Sequence, residues 1–182
     1  MTGNDDERTG WSDEEVLELS TRKDIFEYVE ANPGVHFNQL KRALDIETGA
    51  LQHHLRELER YGVLESEMFQ GKRRVFVGRE LDDEEKTILA VLRYETTRRV
   101  LLYLLRDGPA RNTDIAEEVG VTPATISWHL SNLCEAGVVE EIDEGRTVRY
   151  DVTNRELTVQ LLVRYQESFV DRAVDRIIDF WG

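Results

Sequence analysis

The sequence predicts a mainly α-helical protein with small β-hairpins, in which one structural unit occurs twice and is followed by a long C-terminal helix. The main observation is a repeat: a shift of 75 positions brings LQHHLRELERYGVLE (51–65) onto ISWHLSNLCEAGVVE (126–140), with Gly62 on Gly137. Apolar residues recur every three to four positions within each copy, which is typical of one-sided helices. Each copy then ends in alternating apolar residues on either side of a glycine turn, which indicates a hairpin.

The chain divides into five segments by charge, periodicity and repeat. They are an acidic disordered tail (1–20), a first unit (21–79), a connecting helix (80–94), a second unit (95–153) and a C-terminal helix (154–182). A chain of 182 residues is long enough for two small cores.

In the first unit we expect three helices and a hairpin. The turn Asn32-Pro33-Gly34 ends the first helix, and Gly62 ends the third. The predicted helices are Thr21–Ala31, Phe37–Leu44 and Thr48–Tyr61, and the strands are Val63–Phe69 and Lys72–Val77.

The connecting segment and the second unit continue the same plan. Acidic residues at the start of LDDEEKTILAVLRY (81–94) suit a helix N-terminus. Thr122 is the expected N-cap of the last helix of the second unit, and Pro123 is the first residue of that helix. The predicted helices are Thr96–Arg106, Asn112–Val119 and Pro123–Ala136, and the strands are Val138–Asp143 and Thr147–Val152.

From Asn154 onwards an apolar stripe predicts one helix of about 27 residues, roughly 40 Å long. Such a length exceeds what a small domain needs, so we expect part of the stripe to form a homodimer seam, although it could also cover its own chain. The seam residues are Leu157, Leu161, Tyr165, Phe169, Val174, Ile177 and Trp181.

Composition excludes several classes of protein. No run of 18 apolar residues is present and the N-terminus lacks a signal-peptide pattern, so we expect a cytoplasmic protein without a membrane association. Cys134 is the only cysteine, which argues against a thiolate metal site, and we expect no metal or other cofactor. The histidines His54 and His129 are expected to be packing residues. No catalytic constellation is present, so we expect no enzyme activity.

The net charge of −14 would ordinarily oppose a polyanionic partner. The charge is uneven, however: residues 21–79 hold nine acids and ten bases, whereas residues 95–153 hold eleven acids and six bases. Such acidity is typical of proteins from organisms with molar intracellular salt, where screening shortens to about 3 Å.

With both copies laid out, the chain resembles the winged helix-turn-helix transcriptional regulators of archaea, haloarchaea-like and of the broad ArsR/MarR-like kind. The resemblance is carried by NPGVHFNQLKRALDIETGALQHHLRELERYGVLE (32–65) and by the ArsR-like stretch RRVLLYLLRDGPARNTDIAEEVGVTPATISWHLSNLCEAGVVEEIDEGRTVRYDV (98–152). It implies two tandem winged helix-turn-helix domains. The cysteine motif of the metal sensors in that family is absent, so metal sensing is not implied.

The resemblance further implies that the third helix of each unit enters the major groove of double-stranded DNA and that the hairpin wing contacts the backbone. Gln52 could pair with adenine and Arg56 with guanine or phosphate. The expected DNA-contacting residues are Lys41, Arg42, Thr48, Gln52, His53, Arg56, Arg60, Lys72, Arg73, Arg74, Thr122, Thr125, Ser127, Trp128, Ser131, Arg146 and Arg149.

The second recognition helix lacks cations, so the first unit is expected to be the stronger reader. The expected function is sequence-specific regulation of transcription by a homodimer; the effector ligand is unknown. The alternative is a tandem winged-helix scaffold that binds proteins in a chromosome-organising or transcription complex.

Overall fold

The computed structural model describes residues 20–169. The expectations for the acidic tail before Ser20, and for Val174, Ile177 and Trp181, lie outside the described residues.

The first unit contains three helices and a three-stranded sheet. His36 caps the second helix, because its Nδ1 accepts hydrogen bonds from the backbone N–H groups of Asn38 and Gln39 at 3.2 and 3.4 Å. The elements are α1 (Ser20–Ala31), β1 (Val35–His36), α2 (Phe37–Leu44), α3 (Thr48–Arg60), β2 (Leu64–Phe69) and β3 (Lys72–Val77).

The short strand β1 was not predicted from the sequence, and it changes the environment of the wing. The strand order is β1-β3-β2, so β3 is the central strand, with Val35 opposite Val75. In the second unit an isolated bridge joins Ala110 to Tyr150. Ala110 and Tyr150 lie 75 positions after Val35 and Val75. The repeat in the sequence therefore includes this strand pairing.

The connecting helix and the second unit follow the predicted order. Asp82 and Glu85 form a capping box at the start of the connecting helix, and the Thr122 hydroxyl accepts from the Thr125 N–H at 3.2 Å. The elements are α4 (Asp83–Leu92), α5 (Glu95–Asp107), α6 (Asn112–Val119), α7 (Pro123–Glu135), β4 (Val139–Asp143) and β5 (Val148–Val152).

Two hydrophobic clusters form the interior of residues 20–169. One lies within the first unit, around Ile25, Leu40 and Leu55. The other spans the second unit and also takes in the connecting helix, including Ile88. Phe76 of the first unit belongs to this second cluster, so apolar contact joins the two units.

The C-terminal segment differs from the predicted continuous helix. The helix α8 covers Arg155–Arg164, Tyr165 leaves helical geometry at φ −114° and ψ 26°, and a 3₁₀ turn covers Gln166–Ser168. Leu161 is 2% exposed and Phe169 4% exposed within their own chain, which removes both from the proposed dimer seam. Leu157 and Tyr165 are half-buried against the same core.

Among residues 20–169, every helix is too short or too polar to cross a lipid bilayer.

Candidate nucleic-acid interface

The helix α3 has one apolar face and one polar face, as its sequence predicts. Leu51, Leu55 and Leu58 are fully buried against the first core. The opposite face is exposed and carries an amide, an imidazole and two guanidinium groups together with one hydroxyl: Thr48, Gln52, His53, Arg56 and Arg60. Such a face can both donate hydrogen bonds to base edges and neutralise phosphates.

The preceding helix α2 adds two cations. Lys41 is half-buried and Arg42 is exposed, with the Arg42 Nε donating to the Asn38 carbonyl at 3.2 Å. The turn between α2 and α3 begins at Asp45, which adopts a left-handed conformation at φ 50°. The equivalent position in the second unit is Gly120, at φ 75°.

The wing of the first unit, β2 and β3 with the turn Gln70-Gly71, differs most from expectation. Arg74 is 1% exposed and donates from Nη1 to the Gly34 carbonyl at 2.9 Å, so it cannot reach a phosphate. Arg73 is half-buried and forms an ion pair with Glu59 at the end of α3. Lys72 remains exposed, with its Nζ 4.9 Å from the centroid of the Tyr94 ring.

The physical reason is the position of β3. The side chains on one face of an isolated hairpin point to solvent. Here β3 is the central strand, and the Arg74 side chain contacts the Gly34 carbonyl, just before β1, and the Tyr94 ring, just before α5. Glu59 holds Arg73 and the Tyr94 ring holds Arg74, and neither Glu59 nor Tyr94 was predicted from the sequence to have this role.

The two histidines of the repeat, His54 and His129, are half-buried, and one ring nitrogen of His54 lacks a hydrogen-bond partner among the described residues. Burial is the main cause that lowers the pKa of His54, with smaller effects from His53 and Arg22. Its Nδ1 is buried without a hydrogen-bond partner within residues 20–169. Burial also lowers the pKa of His129, whose ring lies edge-on to Trp128 with centroids 4.8 Å apart. Both imidazoles therefore favour the neutral form.

The helix α7 presents a neutral surface. Ile126, Leu130 and Leu133 are buried, while Trp128 is 61% exposed. The other predicted contact residues of this helix are also exposed: Thr122, Thr125, Ser127 and Ser131. Three of these hydroxyls are held locally, because Thr122 and Thr125 bond each other at 2.9 Å and Ser127 accepts from Asn112 at 3.0 Å.

The wing of the second unit, β4 and β5, offers one exposed cation from the predicted set. Arg146 is exposed at the turn. Arg149 is half-buried and lies 3.5 Å from the Glu144 carboxylate. The second unit can therefore release few counterions from a nucleic acid.

No group of three or more histidine, cysteine or carboxylate side chains arranged to hold a metal occurs among residues 20–169.

Two domain families match this chain. Residues 19–89 match a family of N-terminal helix-turn-helix domains, and residues 95–140 match a family of winged helix-turn-helix DNA-binding domains. The matched segments contain α3 and α7 respectively.

One curated relative is the HTH-type transcriptional regulator MJ1398 of Methanocaldococcus jannaschii, which is 31% identical over 138 residues. The match covers 76% of this chain and 34% of that protein, so the chain spans about a third of the length of the relative.

Two solved structures show weaker likeness. The transcriptional repressor BigR of Xylella fastidiosa is 20% identical, covering 47% of this chain and 86% of that chain with a TM-score of 0.41. The cadmium sensor CMTR of Mycobacterium tuberculosis is 31% identical, covering 47% and 83% with a TM-score of 0.37. At these TM-scores neither likeness bears on function.

The order of elements, the polar faces of α3 and α7, and the two family matches agree with one another. The chain contains two helix-turn-helix domains in tandem, the second of which is similar to winged helix-turn-helix DNA-binding domains, and it is a homologue of an archaeal HTH-type regulator.

Proposed function

We propose that this protein regulates transcription by binding specific double-stranded DNA as a homodimer, with α3 in the major groove as the principal reading element. The observation that carries the proposal is the outward face of α3, where Gln52, Arg56 and Arg60 are exposed opposite three buried leucines. A guanidinium group can donate to the two acceptors on the major-groove edge of guanine. An amide group can pair with the donor and the acceptor on the edge of adenine. The protein acts in the cytoplasm, where an archaeal chromosome lies.

The two units have different roles in this proposal. Lys41, Arg42 and Lys72 supply backbone contacts beside α3, whereas α7 adds hydroxyl groups and Trp128 but no cation. Phosphate contacts give affinity and base contacts give specificity. The first unit therefore supplies most of the affinity, and the second assists or serves assembly.

Homodimerisation places two α3 helices on a pseudo-palindromic site. Val163, 41% exposed on α8, is the large apolar residue of that helix still open to a partner among the described residues. Val163→Asp should convert dimers to monomers in light scattering, and Gln160→Asp, also on α8, is the control. A Val163→Asp variant that remains dimeric would move the seam away from α8.

The test of DNA reading is selection of genomic fragments by the full-length protein at near-native salt, followed by sequencing. We expect enrichment of a short inverted motif with wild type and its loss with Gln52→Ala or Arg56→Ala. In direct titrations Arg56→Ala should also reduce the slope of log K against log salt by about 1, because one fewer phosphate or base contact carries charge. Arg164→Ala on α8 removes an exposed cation away from α3 and should leave the slope unchanged.

A second candidate function is protein binding within a larger complex. It is favoured by Trp128 and Met68, which are 61% and 69% exposed, and by the net charge of −14. Exposed tryptophan is typical of protein interfaces. Absence of any enriched motif, with an unchanged salt slope in Arg56→Ala, would favour this candidate over the regulator.

A further inference from the structure

The carboxylate of Glu59 joins the helix α3 to both strands of the wing of the first unit. Its Oε1 accepts a hydrogen bond from the Ser66 hydroxyl on β2 at 2.5 Å and forms an ion pair with the Arg73 guanidinium on β3. Glu59 is the penultimate residue of α3. One side chain therefore ties the end of this helix to the two strands at once, and we call Glu59, Ser66 and Arg73 the wing clamp.

The wing clamp acts on one face of the wing, and another contact holds the opposite face. Ser66 shares a face with Arg73, because its partner on β3 is Val75, two residues further along that strand. The neighbouring residue Glu65 lies on the other face, where the Lys86 Nζ of α4 is 2.8 Å from its carboxylate. Loss of the wing clamp therefore leaves the wing attached to α4 and changes only its fit against α3.

The second unit supplies an internal control, because it forms the same three helices and a hairpin without a wing clamp. The residues 75 positions after the three members are Cys134, Glu141 and Val148. Val148 has no polar side-chain atom and is 42% exposed, so it cannot bond to α7 as Arg73 bonds to α3. The fold of a unit therefore does not require the wing clamp, which occurs in the unit whose helix carries cations on its outer face.

The wing clamp contributes little to stability. The side chains of Arg73 and Glu59 are 38% and 26% exposed, and water and salt weaken an ion pair at such a site. A contact of this strength does not hold a fold together. It can, however, select one arrangement of two elements that are already folded.

We propose that Glu59 is a positioning residue for DNA binding, which holds the wing where Lys72 meets the DNA backbone while α3 lies in the major groove. This inference rests on the proposed reading of DNA by α3. Lys72 is exposed and directly precedes Arg73 on β3, so the wing clamp fixes the strand that carries it. A surface that is already arranged for its ligand binds more tightly, because less of it must be ordered on binding. Glu59 acts through Ser66 and Arg73 without touching DNA itself.

Removal of Glu59 tests the proposal through the sign of its effect on DNA affinity. A carboxylate near a polyanion repels it, so the loss of an acidic residue from a DNA-binding surface ordinarily tightens binding. If Glu59 positions the wing, Glu59→Ala weakens binding instead. If Glu59 competes with phosphate for Arg73, Glu59→Ala tightens binding by freeing a cation.

The experiment measures Kd and its salt dependence for the full-length protein on a random-sequence DNA duplex, to which phosphate contacts give most of the affinity. Glu59→Ala should raise Kd by about 2- to 5-fold, the range that a half-exposed ion pair can supply. The slope of log K against log salt should fall by up to about 1, because Lys72 loses its phosphate. Glu59→Gln keeps an oxygen acceptor for Ser66 and Arg73, so its Kd should be no higher than that of wild type. Glu57→Ala makes the same charge change as Glu59→Ala two residues earlier on α3 and should not raise Kd.

A double-mutant cycle separates positioning from a merely structural role. Lys72→Ala should weaken binding in the wild-type background and have little further effect in Glu59→Ala, since the displaced wing no longer brings Lys72 to a phosphate. A loss of stability alone would lower the folded fraction, which urea unfolding measures, and would leave the effect of Lys72→Ala unchanged. Ser66→Ala breaks one of the two bonds to Glu59 and should give a smaller rise in Kd, which decides the matter if Glu59→Ala does not fold.

Two results overturn the positioning role. One is a Kd of Glu59→Ala equal to or below that of wild type, and the other is an equal effect of Lys72→Ala in both backgrounds. Either result, with wild-type binding that still depends on Arg56, retains the regulator and removes only the role of Glu59. A wild-type protein that binds neither the random duplex nor any genomic fragment overturns the proposed function and this inference with it.

Discussion

The guanidinium carbon of Arg74 lies 4.8 Å from the centroid of the Tyr94 ring, so a residue of the wing strand β3 stacks on the residue that precedes α5. The contact joins the wing of the first unit to the start of the second. The wing is therefore fixed on the protein rather than projecting freely, and its Arg74 contributes to folding instead of phosphate binding.

Neighbouring cations of the wing should differ sharply in their effect on stability. Arg74→Ala leaves the Gly34 carbonyl without its donor and opens a cavity, which should lower the free energy of unfolding by about 2–4 kcal/mol. Arg73→Ala removes a half-exposed pair with Glu59 and should cost less than about 1 kcal/mol. Urea unfolding of both variants measures the difference, and equal losses would contradict the burial of Arg74.

Lys86 should make the free energy of unfolding fall as the pH rises in the alkaline range. Its Nζ is 2.8 Å from Glu65 and 3.0 Å from Glu67, and the interaction with Glu65 is the largest cause that raises the pKa of Lys86. A group with a raised folded-state pKa stabilises fully below its unfolded pKa, about 10.4, and the stabilisation is lost as pH rises through the folded value.

Lys86→Met tests this linkage. At pH 8 the variant should be less stable by about 1–3 kcal/mol, since Glu65 and Glu67 lose their buried partner. Urea unfolding measures the difference in the free energy of unfolding between wild type and variant, and this difference should become smaller above pH 10.5. A gap that stays constant to pH 11.5 would show that Lys86 acts through packing alone.

Two glycines near the ends of α3 should respond to alanine with opposite signs. Gly62 has φ 72° and only Arg79 Nη2, at 3.9 Å, near the position of an added Cβ. Gly62→Ala should therefore destabilise the protein by about 1–2 kcal/mol through backbone strain alone. Gly49 is helical with open space around it, and Gly49→Ala should stabilise by about 0.5–1 kcal/mol. Chemical denaturation of the pair checks both signs.

The second recognition helix should gain DNA affinity from one cation. Ser131 is exposed and occupies the position that Arg56 occupies in the first unit, 75 residues earlier. Ser131→Arg should tighten non-specific binding and increase the salt slope by about 1, because one more phosphate is neutralised. Gln160→Arg on α8 is the control. Equal behaviour of the two variants would place α7 away from DNA in the complex.

Local patterns predicted most of the elements. The helices, the N-cap Thr122 and the glycine at Gly62 follow from side-chain spacing and backbone chemistry that operate within a few residues. The strand β1 could not be predicted, because Val35–His36 is too short to show alternation and is defined by its partner β3.

The candidate site also has features that follow from local sequence and features that depend on distant residues. The outward face of α3 depends only on helical spacing, so its exposed residues were predictable. The fate of Arg74 and the break at Tyr165 depend on distant residues. An apolar residue every three to four positions continues past Tyr165, yet Phe169 is drawn into the core beneath Arg93, and that contact is not encoded in the periodicity.

The order β1-β3-β2 leaves β2 as a free edge of the first sheet, and this edge carries the side chains of Glu65 and Glu67. Charged residues on an outer strand discourage the addition of a further strand from another molecule. Lys86 pairs with both carboxylates, so the edge keeps a net negative charge of about one in each copy. This residual charge disfavours the pairing of two copies along β2, and a change that removed Glu67 would make the edge more open to such pairing.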